Sequence, residues 1–124
     1  MGKNMTSSTE TRTLLKNYYN GLSKNEHWQS LLSDDVLLTG TVVKESKGKD
    51  LFVHNNFFRM IKGLEVRQMI VENEHAFALV SYDLVSPKGT NFSSDVAEIW
   101  RIKDNKLVSL TICFDTAAFA KAMA

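Results

Sequence analysis

The stretch SSDVAEIWRI, residues 93–102, decides the fold. Counted with a period of two and extended back by one residue, Phe92, Ser94, Val96, Glu98, Trp100 and Ile102 share one face of a β-strand. That face is apolar and aromatic, with one carboxylate near its centre. An ionised carboxyl buried without a partner is costly, so such a group pairs or takes up a proton. Three readings of Glu98 are open at this point. It lines an apolar pocket, it forms a structural ion pair with an arginine such as Arg59 or Arg67, or the strand buries its other face.

The neighbouring segments read as further strands: 64–72, 75–86 and 107–115, joined to one another and to 92–102 by the turns Asn73-Glu74, SPKGTN and KDNK. Upstream, Leu14, Leu15, Tyr18, Tyr19 and Leu22 recur at helical spacing, with Ser8 or Thr9 as the cap and Gly21 with Ser23-Lys24-Asn25 at the end. A short helical turn is expected over His27–Leu32. A strand is expected over 36–43, bent at Gly40, followed by the polar loop ESKGKD. Residues 50–62 predict a second amphipathic helix, capped by Asp50, with Leu51, Phe58 and Ile61 inward, and stopped by Gly63. The Ala-rich end, DTAAFAKAMA, predicts a short helix capped by Asp115 or Thr116. Residues 1–8 read as a disordered tail and 9–124 as one domain.

Helices first and antiparallel strands afterwards define an α+β class. A strongly curved antiparallel sheet with helices on its concave side makes a cone, and its hollow is a natural small-molecule site. Composition fits a single globular domain: 124 residues, 44% apolar and 23% charged. The net charge of +1 gives no electrostatic footprint for nucleic acid or an anionic membrane. Cys113 is the only cysteine, so no intrachain disulfide forms. No apolar run is long enough to span a bilayer, and the N-terminus lacks a signal-peptide core, so the cytoplasm is the expected location.

In this order and spacing, YYNGLSKNEHWQSLLSDDV, GKD, NEHAFALVSY, VAEIWRI and KDNKLVSLTICFD resemble the nuclear transport factor 2-like fold. Within it they are similar to the branch of ketosteroid isomerases and SnoaL-like polyketide cyclases. The resemblance spans most of residues 11–116. It implies Tyr18 as the pocket tyrosine and Glu98 as the acid of the third meander strand, a place filled in that isomerase by an Asp that its apolar site keeps protonated. The isomerase's general base falls on Gly40, which has no side chain, and this argues against that enzyme's own mechanism. Asp115 lies where related cyclases carry a late acid, with a helix cap as its other reading. The resemblance also implies a homodimer, built on a sheet face that carries Ala97, Ile99 and Cys113.

These residues suggest a pocket for a small, largely apolar organic molecule with an oxygen near Tyr18 and Glu98. Trp28, Phe58, Phe92, Trp100 and Phe114 are the expected lining. His54, on the second helix, is a candidate base beside Asp115. Isomerisation, cyclisation or dehydration by proton transfer is the expected chemistry, without a cofactor. His27, His54 and His75 show no metal-ligand spacing, so no metal is expected. No nucleophile elbow or phosphate-binding loop occurs. A carrier or sensor needs the pocket without the proton-transfer pair. A protein-interaction module needs only the outer surface, with its hollow filled by its own side chains.

Overall fold

The computed structural model describes residues 6–41 and 45–124. Its elements are α1 (Ser8–Lys24), a 3-10 turn (Gln29–Leu31), β1 (Leu32–Gly40), β2 (Ser46–Lys47), α2 (Lys49–Val53), α3 (Asn56–Met60), β3 (Ile61–Glu72), β4 (His75–Val85), β5 (Asn91–Lys103), β6 (Lys106–Cys113) and α4 (Thr116–Met123). The six strands form one curved, unclosed sheet in the order β2-β1-β6-β5-β4-β3. The pairs within β3-β4-β5-β6 are antiparallel, whereas β1 runs parallel to β6. The α+β reading holds.

α1 forms because its apolar stripe has sheet to cover. Thr11, Leu14, Leu15, Tyr18, Tyr19 and Leu22 are all buried. Its cap is Ser7, one residue earlier than expected, in a reciprocal box with Glu10. The helix ends where Asn25 turns left-handed and donates to Gly21 and Leu22 carbonyls. Of residues 1–8, read as a tail, 1–5 lie outside the described residues. Thr6 is buried, with its N–H on Glu74 and its hydroxyl accepting from the Asn105 N–H.

Several expectations change. The helix over 50–62 is two helices of five residues. His54 ends α2, and Asn55 takes extended backbone and caps α3 through its side chain on the Phe57 N–H. The run His54-Asn55-Asn56 has weak helix propensity, and Asn competes for backbone donors, so the break falls there. Phe52 is the inward residue, whereas Leu51 is 59% exposed. Gly63 lies within β3 rather than stopping a helix. β1 begins at Leu32, and its register irregularity falls between Leu32 and Leu37, where Asp34 and Asp35 both face solvent. Gly40 is instead a close approach: a Cβ there would stand 2.6 Å from the Ile112 carbonyl oxygen. Of the strand expected over 36–43, residues 42 and 43 lie outside the described residues.

The core sits between α1 and the sheet's inner face. Ala76, Ala78, Val80, Tyr82 and Leu84 of β4 and Val96, Glu98, Trp100 and Ile102 of β5 supply it by alternation. No described helix is long and apolar enough to cross a membrane.

Candidate functional site

β5 aims Glu98 inward between Ala78 of β4 and Ile112 of β6, its register partners. Ala78 carries only a methyl group, which leaves space beside the carboxyl for longer side chains to reach it. Two do. Tyr19, from α1, donates its hydroxyl to Glu98 Oε1 at 2.5 Å. Tyr82, four residues along β4 from Ala78 and on the same face, donates to Oε2 at 2.7 Å. The Trp100 indole N–H donates to the Tyr19 oxygen at 2.9 Å. All four groups are buried, and Glu98 is 1% exposed.

No cation joins Glu98 among the described residues; its partners are hydroxyls. Burial therefore dominates and pushes its carboxyl from 4.5 up to about 7, against the opposing pull of the two tyrosine hydrogen bonds. Tyr19 and Tyr82 are pushed well above the ordinary phenol range, first by burial and then by the nearby Glu98 charge. They therefore stay protonated and serve as donors. Near neutral pH the constellation can hold or release one proton, and that proton belongs to Glu98.

The expected partner of Glu98 is Tyr18, and the structure corrects this. Tyr18 is fully buried, yet its hydroxyl has no hydrogen-bond partner. It lies near enough for the Glu98 charge to contribute to its raised pKa, after burial. Neighbouring positions on a helix differ by about 100° in direction. Both tyrosines fall within the buried stripe, so spacing alone does not separate them. Tyr82 is a member of the site that the sequence reading misses, although its signal is present. In HAFALVSYDLV it shares the inward parity of Ala76, Ala78 and Val80.

Asp115 and His54 do not join the site. Asp115 caps α4, accepting from the N–H groups of Ala117 and Ala118 at 3.0 and 3.2 Å, and is exposed. His54 is exposed, with Nδ1 at 2.8 Å from the Asp50 carbonyl oxygen. Neither reaches Glu98. Gly40 leaves no room for a side chain at the position the resemblance gives to a general base.

The expected aromatic lining divides in two. Trp100 and Trp28 both pack edge-on against Tyr18, with ring centroids 4.8 and 6.0 Å away, and Trp28 continues to Phe58 at 5.2 Å. Phe92 and Phe114 pack instead on Phe119 of α4, at 5.2 and 4.3 Å. Aromatic rings pack around Glu98 and its tyrosines. Five of the surface depressions among the described residues measure about 370–470 Å³, and none of these five is lined by Glu98, Tyr18, Tyr19 or Tyr82. Glu98 and the three tyrosines are all buried. One depression, of about 370 Å³ and lined by Leu22, Asn25, Trp28, Phe58, Arg59 and Ile61, ends on the outer members of the ring stack. No three His, Cys, Asp or Glu side chains among the described residues are grouped to hold a metal.

The architecture has close counterparts. A candidate SnoaL-like polyketide cyclase from Jannaschia sp. CCS1 superposes with a TM-score of 0.81 over 99% of this chain and 97% of its own, at 11% identity. An NTF2-like protein of unknown function from Cytophaga hutchinsonii gives 0.73 over 97% and 99%, at 15% identity. A candidate ketosteroid isomerase from Kribbella flavida gives 0.75 over 89% and 81%, at 17% identity. No family model matches the chain, and no curated protein sequence matches it. At these identities the likeness defines the fold: the chain has the nuclear transport factor 2-like fold, in the form also seen in proteins named as cyclases and ketosteroid isomerases.

Proposed function

We propose that the chain binds a small, largely apolar, oxygenated organic molecule inside the cone and moves a proton at it through Glu98. The observation that carries this is a fully buried carboxyl with no cation beside it, held between two tyrosine hydroxyls. Its displacement from 4.5 to about 7 corresponds to about 3 kcal/mol lost to the folded state above neutrality. An apolar residue of similar volume would spare the core that cost. Strongly perturbed titratable groups cluster at functional sites. Tyr18 adds a buried hydroxyl, free to donate, close to the same carboxyl. The names of the similar cyclase and isomerase structures support the same class.

Access runs from the depression that ends on Trp28 and Phe58. α2 and α3, at five residues each, are too short to be stable alone. Their displacement with Phe58, and rotation of Trp28, uncovers Tyr18 and then Glu98. The test uses β-tetralone in D2O, with NMR following deuterium uptake at its α-carbons. The wild-type chain accelerates uptake. Glu98→Gln binds the ketone and leaves uptake at the solvent rate. Absence of any ketone-induced shift in the Trp28 indole or the Tyr18 ring sinks the proposal. That outcome would favour the second reading, an interaction module, which the burial of Glu98 and its tyrosine partners supports.

The proposed partner is a second copy of the chain, docked on the sheet face turned away from α1. Two apolar rows cross that face: Ile70, Phe77 and Ile99, then Leu79, Ala97 and Cys113. Ile70 and Ile99 are 56% and 49% exposed. Charges flank these rows in a self-complementary order. On β5, Arg101 stands on one side of them and Asp95 on the other. A twofold axis lying across the strands, between the apolar rows, sets Arg101 against the partner's Asp95.

A further inference from the structure

The hydrogen bonds around Glu98 have a direction, and the direction locates its proton. An indole N–H can only donate. Trp100 donates to the Tyr19 oxygen, so the single Tyr19 hydrogen is left for its other partner, Glu98 Oε1. If Oε1 also carried a proton, two hydrogens would face each other across that short contact. Turning the Tyr19 hydrogen away would load two donors on its oxygen and leave its own hydrogen without a partner, an unmade buried bond. Tyr82 differs in that its oxygen accepts from no indole or other N–H among the described residues. Its hydroxyl pairs with Glu98 Oε2, and its ring rests edge-on against Phe57 of α3 at 4.9 Å. It can donate to an ionised Oε2 or rotate and accept from a protonated one.

We propose that Trp100 is a positioning residue for proton transfer: by committing Tyr19 to Glu98 Oε1, it confines the exchangeable proton to Oε2, the oxygen that faces Tyr82. The inference rests on Glu98 as the proton-exchanging group. It adds which oxygen acts and from which side. The proton passes between Oε2 and an acceptor on the Tyr82 side, while Oε1 remains the carbonyl oxygen throughout. A bound molecule must therefore bring its reacting carbon to the Tyr82 and Phe57 end of the carboxyl. Tyr19 stays a fixed donor that neither gains nor loses a proton.

Infrared difference spectra between about pH 5 and about pH 9 test this on the intact protein. The carboxylic C=O band of Glu98 is identified by its loss in Glu98→Gln. Tyr82→Phe is expected to move that band less than Tyr19→Phe does, because Tyr19 still donates to the carbonyl oxygen. Tyr19→Phe is expected to move it to higher wavenumber. Trp100→Phe is expected to split it, because Tyr19 is then free to turn and the proton can occupy either oxygen. A band moved further upward by Tyr82→Phe than by Tyr19→Phe overturns the assignment. So does a single, unmoved band in Trp100→Phe. Tyr82→Phe and Tyr19→Phe both keep the ring and its packing, so their comparison decides between the two oxygens even if Trp100→Phe folds poorly. A wild-type spectrum with no Glu98 band removes the proton-exchange reading itself, an outcome distinct from a band that responds to the wrong variant.

Discussion

Tyr19 and Glu98, 79 positions apart in the chain, meet at 2.5 Å and tie α1 to the middle of the sheet. The tie is made to a group that titrates. Its strength therefore depends on pH in a way that an apolar contact would not.

The sign of that dependence is fixed by the direction of the shift. The folded state holds the Glu98 proton up to about pH 7, whereas an unfolded chain releases it near 4.5. Between those values the folded state binds more protons, so stability falls as pH rises. The loss totals about 3 kcal/mol and is complete above neutrality. Urea unfolding across this range should show the slope in the wild type and its absence in Glu98→Gln. A slope that survives the substitution would assign it to another group.

Tyr18 and Tyr19 are adjacent and both buried, but their hydroxyls should respond in opposite ways. Tyr19→Phe takes a donor from Glu98 and the acceptor from Trp100, and is expected to cost about 1–3 kcal/mol. It should also raise the Glu98 pKa further, since a donor to the ionised form is lost. Tyr18→Phe removes a hydroxyl without a partner, and should leave stability unchanged or raise it by about 1 kcal/mol. Denaturation midpoints of the two variants check this. Equal losses would mean that the Tyr18 hydroxyl is bonded in solution.

The contrast between these tyrosines marks what the sequence could say. Alternation along 92–102 places Glu98 and Trp100 inward, and the strand does so. The same alternation, applied to residues 75–85, puts Tyr82 on the face of Ala78, so that partner was legible. Tyr19 was not. Both tyrosines fit the α1 stripe, and the choice between their hydroxyls depends on where β5 lies beneath the helix. The break at His54-Asn55 was hidden for another reason. Phe52, Phe57 and Phe58 keep an apolar rhythm across it, whereas a local Asn cap decides the backbone. The parallel pairing of β1 with β6 depends on contacts more than 70 residues apart, as in Thr39 with Thr111.

Asp115 should behave as a cap and nothing more. It accepts from two N–H groups at the start of α4 and lies in the open. Asp115→Ala is expected to cost about 1 kcal/mol. It should leave deuterium uptake by a bound ketone unaltered, as should His54→Ala. A rate loss in either variant, with helix content preserved by circular dichroism, would return that residue to the site.

The outer face offers a charge-swap test. Ile70 and Ile99 stand half-exposed on it, and Arg101 and Asp95 lie on either side of the apolar rows along β5. With the twofold axis between the apolar rows, each Arg101 meets the partner's Asp95. Arg101→Asp then sets like charges opposite each other twice per dimer, and so does Asp95→Arg. Juxtaposed like charges cost several kcal/mol, so each single reversal should weaken association by on the order of a hundredfold. The double variant restores opposite charges at both contacts and should recover the dimer. Sedimentation equilibrium reads all four proteins, and far-ultraviolet circular dichroism confirms that each is folded. A double variant as weak as the singles would exclude this axis. A wild type that stays monomeric at high concentration would exclude the interface itself.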